Sequence, residues 1–220
     1  MITYEQIKND NAIKTYIREA DKSLAALGYT EHSFAHVTRV AVSAGDILSS
    51  LGYNERVCEL ARISGYLHDI GNLVNRVDHS QSGAILAFRI LDRMGMEPEE
   101  IAPIVAAIGN HDEGTGVPVS AIAAALIIAD KSDVRRTRVR SKEHFDHNDI
   151  HDKVNYATKS SAIEISADKK FITLVIDIDT SVSAVMEYFE IFLGRMLMCK
   201  SAAEKLGLTF KLNINGQILL

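Results

Sequence analysis

The sequence predicts a mainly α-helical protein that ends in a small α+β module. Up to about residue 140, apolar residues recur at helical spacing, in segments separated by glycine, proline or capping residues. Later, short runs alternate between apolar and polar residues, as half-buried strands do. We therefore predict a helical domain over residues 1–140 with its core at 30–140, a linker or helix over 141–160, and an α+β module over 161–220.

The first half of the helical domain contains three predicted segments. Apolar residues from Ile2 to Leu24 have rough helical spacing, and Gly28 closes that segment. A long helix follows from Ser33 to Leu51. The next helix begins at the cap residue Asn54 and ends at Gly71.

Three more helices are predicted in the second half. His79-Ser80 begins a helix that Gly95 ends, and Pro98 occupies the first turn of a segment that runs to Ile108. An alanine-rich helix from about Ser120 to Arg135 is apolar on nearly every side. This pattern predicts burial at the centre of the bundle.

The C-terminal residues predict a β-β-α-β-β order. Residues 162–166 and 171–178 are predicted strands, and a helix is predicted over 181–205. Apolar residues then alternate from Leu208 to Ile214, and Asn215-Gly216 is typical of a hairpin turn. We expect this module to serve packing, homodimer formation or covering of the active-site mouth.

Composition excludes several classes of protein. A net charge of −5 argues against binding to duplex nucleic acid, whose phosphates require a basic surface. The N-terminus has no apolar signal core, and the most apolar stretch, Ile122–Ala129, is too short to cross a membrane. Cys58 and Cys199 fit no metal or redox spacing. We expect a soluble cytoplasmic protein with reduced cysteines and no membrane partner.

Histidine and aspartate residues in or beside separate predicted helices form a candidate dinuclear metal centre. Imidazole nitrogen and carboxylate oxygen are ligands for first-row metals such as Fe, Mn, Zn and Ni. Taken singly, each residue is better explained as a cap or a core hydrogen-bonding group; together they favour metal binding. His32, one turn before the first of them, is more typical of a surface residue. The candidate ligands are His36, His68, Asp69, His79, His111 and Asp130.

Asp69 is the candidate bridge between two ions. Where the helix frays before Gly71, His68 and Asp69 can turn toward the same ion, and the two carboxylate oxygens can reach different ions. His36 and Asp130 then complete the first site, and the second has His79 and His111. Two such ions acidify a bridging water to hydroxide near neutral pH and clamp the oxygens of a phosphoester.

In its order, the set His36, His68-Asp69, Asp130 resembles the HD-domain superfamily of metal-dependent phosphohydrolases, over roughly residues 30–140. GYLHDIGN (65–72) is close to its signature and HVTRVA (36–41) to its first-helix motif, while His79 and His111 match the dinuclear members. The resemblance implies an all-alpha fold, two divalent ions (Fe, Mn, Zn, Ni, Co or Mg) and hydrolysis of phosphate esters of nucleotides or similar small molecules.

The chain also departs from that family. Asn72 stands where many dinuclear members have Lys. The stretch HDEGTGVP (111–118) is similar to the loop of cyclic-dinucleotide phosphodiesterases of the HD-GYP type. It is shorter, with Asp112 in place of a second His and Val117 in place of Tyr, so we do not assign the chain to that type. Asp112 is a candidate extra ligand or a partner of a ligand.

Further polar residues are candidates for contact with the substrate. Lys131 and Arg39 are candidate catalytic residues that contact phosphate, beside Asp69; ordinary surface salt bridges are the alternative. Asp133 is expected to orient Lys131 or a ligand histidine. A basic run at Arg135, Arg136, Arg138 and Arg140 could attract a polyphosphate but is more typical of a solvated face. A further metal site at His144, His147 and His151 is a weak candidate.

Three functions are compatible with these residues. The first is a metal-dependent phosphohydrolase for a nucleotide or another small phosphorylated molecule. The second is a di-iron oxygenase on the same scaffold, because ligand type does not fix the metal. The third is a non-catalytic regulatory module that binds metal or nucleotide, which the complete ligand set disfavours.

Overall fold

The computed structural model describes residues 1–140 and 149–219. Helices account for most of this part of the chain, and a small sheet lies near its C-terminal end, which confirms the predicted mainly α fold class. The helices are α1 (Tyr4–Asn9), α2 (Asn11–Ala26), α3 (Phe34–Leu51), α4 (Glu55–Leu67), α5 (His79–Arg93), α6 (Pro98–Gly109), α7 (Ala121–Lys131), α8 (Ile150–Ala157) and α9 (Val185–Lys205); the strands are β1 (Thr158–Ile165), β2 (Phe171–Ile178), β3 (Thr209–Ile214) and β4 (Gln217–Ile218).

The all-alpha fold implied by the resemblance is wrong for the whole chain, because four strands form a sheet in the order β1-β2-β3-β4. β1 and β2 pair antiparallel, β2 and β3 pair parallel, and β3 and β4 pair antiparallel. In β2, Ile172, Leu174 and Ile176 are buried and alternate with less buried residues, a period that suits a strand and not a helix. The predicted β-β-α-β-β order is confirmed, with α9 as the crossover between the parallel strands.

Several boundaries differ from the predicted ones. The first predicted helix is two helices, because the Asp10 carboxylate accepts the Ile13 backbone N–H and so begins α2 where α1 ends. The alanine-rich helix ends at Lys131, four residues earlier than expected. β1 begins at Thr158, and α9 begins at Val185.

The segment predicted as a linker or helix, residues 141–160, contains helix α8. The Asp149 side chain caps it by accepting the backbone N–H of His151. His144 and His147 lie outside the described residues, so the proposed histidine site there is represented by His151 alone.

Helix α7 lies at the centre of the core. Every residue of Ile122–Ala129 is buried, as the apolar pattern predicted. The helix packs against α3, α4, α6 and α9, so helices from both halves of the chain share one apolar core. Within the described residues, no helix is both long enough and apolar enough to span a bilayer.

Two glycines allow the elements around the candidate site to approach closely. A Cβ on Gly65 in α4 would lie 2.7 Å from the Cα of Ala41 in α3. A Cβ on Gly71, in the 3₁₀ turn that follows α4, would lie 1.9 Å from the backbone oxygen of His79. Both contacts are with backbone atoms, so a side chain at either position would push α3 or α5 away from α4.

Candidate metal centre

The structure brings all six candidate ligands together. His36 lies in the first turn of α3, His79 begins α5, and Asp130 lies in the last turn of α7. His68 and Asp69 follow α4 directly, and His111 follows α6. Five of the six side chains are buried, and the Asp130 side chain is 12% exposed.

Asp69 lies between two pairs of histidines. The Nε2 atoms of His36 and His68 are 3.3 Å apart, and those of His79 and His111 are 3.2 Å apart. Asp69 Oδ2 is 3.5 Å from His36 Nε2 and 3.2 Å from His68 Nε2, whereas Oδ1 is 3.5 Å from His79 Nε2. The two oxygens of one carboxylate therefore face different histidine pairs.

Asp130 belongs to the first pair. Its Oδ1 is 3.4 Å from His36 Nε2 and 3.6 Å from His68 Nε2. Its Oδ2 accepts a hydrogen bond from Lys131 Nζ at 2.7 Å. One oxygen faces the centre, and the other holds a cation beside it.

The four imidazoles are anchored through Nδ1. Each Nδ1 lies against an oxygen acceptor, which fixes the N–H at this nitrogen and leaves a lone pair on Nε2 of a neutral ring. All four lone pairs therefore point at one another and at carboxylate oxygens. The Nδ1 acceptors are Asp133 Oδ2 for His36 (2.7 Å), Gly65 O for His68 (2.8 Å), Arg76 O for His79 (3.1 Å) and Ile108 O for His111 (2.6 Å).

This donor set fits divalent cations. Lone pairs and carboxylates that converge in a buried place repel one another unless a cation or protons lie among them. Two sets of three ligand atoms lie within 4.8 Å of one another: His36 with His68 and Asp130, and His68 with Asp69 and His111. Nitrogen and oxygen ligands without a thiolate suit Zn, Fe, Mn, Ni or Co.

The four ligand histidines differ in the direction in which their surroundings shift the pKa: it is raised for His36 and His68 and lowered for His79 and His111. Burial lowers the pKa of His68, but the Asp69 and Asp130 carboxylates outweigh it and raise the pKa to about 10. For His36, burial and Arg138 are outweighed by Asp130 and Asp133, and the pKa rises to about 8. Without metal, protons therefore take the place of cations on this pair.

The pKa values of the second pair, His79 and His111, are lowered. Burial lowers the pKa of His79. Burial together with the charges of His68 and Lys131 lowers the pKa of His111 to about 3. These two rings are neutral at physiological pH and are ready to bind a cation.

Two residues orient the ligands. Asp133, which the sequence suggested as a partner of Lys131 or of a histidine, contacts His36. Asn72 Nδ2 donates to Asp69 Oδ1 at 3.0 Å and to the Asp69 backbone oxygen at 2.9 Å. Asn72 therefore orients the bridging carboxylate, a contact that the motif did not reveal.

The two candidate phosphate-binding cations lie in different places. Lys131 lines the cavity above the centre. Arg39 does not line it. Its Nη2 donates to the Ser161 backbone oxygen at 2.9 Å, and its Nε lies 3.2 Å from Asp133 Oδ1, whereas His36 contacts Oδ2 of the same carboxylate. The contact between Arg39 and substrate stays a prediction; in this structure the side chain turns toward β1.

Two other residues considered as ligands lie at the edge of the centre. His32 Nδ1 lies 2.7 Å from the Thr30 backbone oxygen, and the ring contacts that of His36. Asp112 Oδ1 is 3.9 Å from His79 Nε2, and the Asp112 side chain is 32% exposed. Neither belongs to the two clusters of ligand atoms. His79 is also outside both clusters, but its Nε2 lies 3.2 Å from His111 Nε2 and 3.5 Å from Asp69 Oδ1.

A cavity of about 280 Å³ opens onto the candidate ligands. Its wall includes residues that the sequence pattern did not place beside the ligands, because nothing in that pattern distinguishes them from surface residues. Arg138 was one member of a basic run interpreted as a solvated face, yet it is buried. The wall includes Tyr29, Arg76, Arg138, Asn155, Phe192 and Arg195.

Comparison with known families gives one match to part of the chain. Residues 33–138 match the model of the family described as HD domain. This range contains all six candidate ligands and ends at Arg138.

Known proteins with similar sequences match only part of their own length. An uncharacterised protein of Methanocaldococcus jannaschii is 27% identical over 160 residues, which are 62% of this chain and 61% of that protein. Ribonuclease Y of Aster yellows witches'-broom phytoplasma is 31% identical over 116 residues, and that of Onion yellows phytoplasma is 30% identical over the same length. Each of these matches covers 53% of this chain and 20% of the ribonuclease.

Among solved structures, the crystal structure of a predicted HD superfamily hydrolase from an uncultured Thermotogales bacterium is similar. Its sequence is 27% identical, and the match covers 61% of this chain and 75% of that chain with a TM-score of 0.45.

Proposed function

Residues 33–138 of this chain belong to the HD-domain family, and from this premise we propose that the protein is a metal-dependent phosphohydrolase. The proposed substrate is a phosphomonoester or phosphodiester of a nucleotide or another small molecule. The proposed cofactor is a pair of divalent cations held by the six ligands.

One observation carries the proposal. The two oxygens of Asp69 face two separate histidine pairs, at 3.2–3.5 Å from the nearest Nε2 atoms. A carboxylate in this position suits two neighbouring cations, the second with His79 and His111. When bound there, the cations would acidify a water molecule and neutralise the charge of a phosphate ester.

The protein's own residues supply the remaining functions. His36, His68 and Asp130 hold their ligand atoms in place because each is anchored on its other side. Lys131, with its Nζ 2.7 Å from Asp130 Oδ2, places an ammonium at the cavity beside the ligands. This ammonium can contact a non-bridging oxygen of the substrate phosphate.

The name ribonuclease Y raises the question of an RNA substrate. The match covers a fifth of those proteins, and the net charge of this chain is −5. A small phosphorylated molecule suits the small cavity and the acidic chain better than a polynucleotide does. A short RNA belongs in the substrate panel so that this choice is tested.

The proposal is tested by loading metal-free protein separately with Mn, Co, Ni, Fe, Zn or Mg. Each form is assayed with a chromogenic phosphomonoester, a chromogenic phosphodiester, a nucleotide panel and a short RNA. Release of phosphate or of the chromophore with at least one metal is the expected result. Inactivity of every metal form on the whole panel would overturn the proposal.

The matched control is the double variant His68→Ala/Asp69→Ala. Elemental analysis of the variant is expected to show loss of bound metal, while circular dichroism retains the helical signal. Unchanged metal content in a folded variant would contradict the assignment of these ligands.

A further inference from the structure

We infer that Arg138 and Arg195, which face one cavity, form an anion-binding pair for the phosphate group of a phosphomonoester substrate. The inference rests on the proposed phosphohydrolase function and narrows its substrate class. Arg195 belongs to α9, 57 residues beyond the end of the HD-domain match, so the α+β module supplies part of the site.

The guanidinium of Arg195 is fixed through its Nε and its face, and the edge with Nη1 and Nη2 has no partner among the described residues. Its Nε donates to Glu113 Oε1 at 2.6 Å, and its guanidinium lies 4.4 Å from the centre of the buried Phe192 ring. Among the described residues, Nη1 and Nη2 of Arg195 have no hydrogen-bond partner, and the residue lines the cavity. A guanidinium fixed in this way presents a planar fork that matches two oxygens of a phosphate.

Arg138 is anchored through backbone groups. Its Nε donates to the Glu31 backbone oxygen and its Nη1 to the Asp133 backbone oxygen, both at 3.0 Å. Nη2 has no hydrogen-bond partner among the described residues, although the side chain is buried and lines the cavity. Because both acceptors are neutral backbone carbonyls, the positive charge of Arg138 is not neutralised by a hydrogen-bonded carboxylate.

The two arginines lie near enough for their charges to interact. Burial lowers the pKa of Arg138, and the charge of Arg195 lowers it further against the opposing effect of Asp133. Lys131 lines the same cavity, and its Nζ is 3.8 Å from the Glu113 carboxylate that holds Arg195. The cavity lining contains four cationic side chains of lysine or arginine and four carboxylates, and two of these carboxylates, Asp69 and Asp130, are candidate metal ligands. With cations on those two carboxylates, the lining attracts an anion.

Charge and size indicate the class of anion. A phosphomonoester carries nearly two negative charges at pH 7 and has three terminal oxygens, whereas a diester carries one charge and has two. Two arginines beside the candidate metal ligands suit the more highly charged group. At about 280 Å³ the cavity is just below the range of roughly 300–1,000 Å³ that is typical of small-molecule sites, so the esterified part of the substrate is expected to be small.

The experiment compares Arg195→Gln, Arg195→Lys and the control Arg89→Gln, each as full-length, metal-loaded protein. Arg89 is exposed on α5 and does not line the cavity. Calorimetric titration with inorganic phosphate, methyl phosphate and dimethyl phosphate measures binding without any requirement for turnover. Elemental analysis of each variant checks that the metal content is unchanged.

Arg195→Gln is expected to weaken the binding of phosphate and of methyl phosphate about tenfold to hundredfold, because one charge-assisted hydrogen-bonded pair is lost. The binding of dimethyl phosphate is expected to weaken less. Arg195→Lys is expected to recover part of the loss, and Arg89→Gln to bind as the unmodified protein does. Equal affinity in Arg195→Gln and unmodified protein, or no binding of phosphate to the unmodified protein, would overturn the inference. Phosphate binding that depends on Arg195 in a protein that hydrolyses no ester would instead overturn the proposed function and leave the anion site standing.

Discussion

His36 is held from both sides, by a carboxylate behind the ring and by ligand groups in front of it. Asp133 Oδ2 accepts its Nδ1–H at 2.7 Å, and the side chain of Asp133 is 1% exposed. Burial opposes ionisation of Asp133, but the His36 ring and neighbouring arginines outweigh burial and lower its pKa. A negative charge therefore lies behind the imidazole and increases the basicity of Nε2.

Replacement of this charge tests its role. Asp133→Asn keeps an acceptor for His36 Nδ1–H but removes the charge, so metal affinity is expected to fall about 10- to 100-fold. Competition with a chromophoric chelator measures the affinity. Asp92→Asn, an exposed position on α5, is the control, and an affinity of Asp133→Asn equal to that of this control would count against the role.

Metal binding is expected to release protons. The pKa values of His68 (about 10) and His36 (about 8) are raised, so both rings carry an extra proton at pH 7 when no metal is present. Ligation requires the neutral ring, so up to two protons leave, one from each histidine. Affinity for metal therefore increases as the pH rises through 8 toward 10, where proton competition ends.

Calorimetry checks the release of protons. Titration of metal into the protein at pH 7, in two buffers with different ionisation enthalpies, gives the number of protons from the difference in apparent heat. His111, with its pKa lowered to about 3, contributes none. An apparent heat that is the same in both buffers would show that no proton is displaced.

At the residue scale, the sequence identified side chains whose chemistry is specific and missed those whose role depends on position. His36, His68 and Asp130 could be selected because imidazole and carboxylate in that order suggest metal. Arg195 could not, because an arginine in an amphipathic helix has the same pattern whether it faces solvent or a cavity. Arg39 was selected for its charge, and its side chain turns toward Ser161 in β1 and does not line the cavity.

Among the elements, the contact of α3 with α4 sets the distance between His36 and His68. Gly65→Ala would place a methyl group 2.7 Å from the Cα of Ala41. Because this is a backbone atom of α3, the contact can be relieved only if α3 and α4 move apart. We expect a loss of about 1–3 kcal/mol in the free energy of unfolding, together with weaker metal binding. Urea denaturation of the metal-free protein measures the first effect.

Gly194→Ala in α9 is the matched control. The nearest atom to a Cβ at this position is Glu113 Oε2 at 3.9 Å, an ordinary contact. Alanine in a helix interior is expected to leave stability unchanged or raise it by up to about 1 kcal/mol. If the two alanine variants were equally stable, the close packing of α4 against α3 would not require glycine at position 65.

Helix positions were easier to predict than their ends. The cap residues Ser33, Asn54 and Ser120 each accept a backbone N–H, as their side-chain chemistry suggests. The division at Asp10 was missed because the rough spacing of the apolar residues was assigned to one helix and Asp10 was not recognised as a cap. The parallel pairing of β2 with β3 is a long-range contact, and no local pattern specifies it.

For the whole molecule, bound metal is expected to connect most of the helical part. The candidate ligands come from α3, α5 and α7 and from the ends of α4 and α6. A ligand that binds the folded state alone stabilises it by about 2.7 kcal/mol at 100 times its Kd. For a chain of this size we expect the Tm to rise by roughly 5–10 °C.

Thermal unfolding with and without saturating metal measures this shift. His68→Ala/Asp69→Ala is the control, since it lacks two ligands and is expected to show no shift with metal. An equal rise in Tm for the variant and the unmodified protein would mean that the metal stabilises the chain elsewhere.

The wide spread of the ligands along the chain also has a consequence for biosynthesis. His36 and Asp130 are separated by nearly a hundred positions, and Asp130 lies on α7, against which α3, α4 and α6 pack. A growing polypeptide on the ribosome lacks the Asp130 ligand, and the helix against which α3, α4 and α6 pack, until α7 has emerged. We therefore expect the complete two-ion centre to form only after synthesis has passed α7.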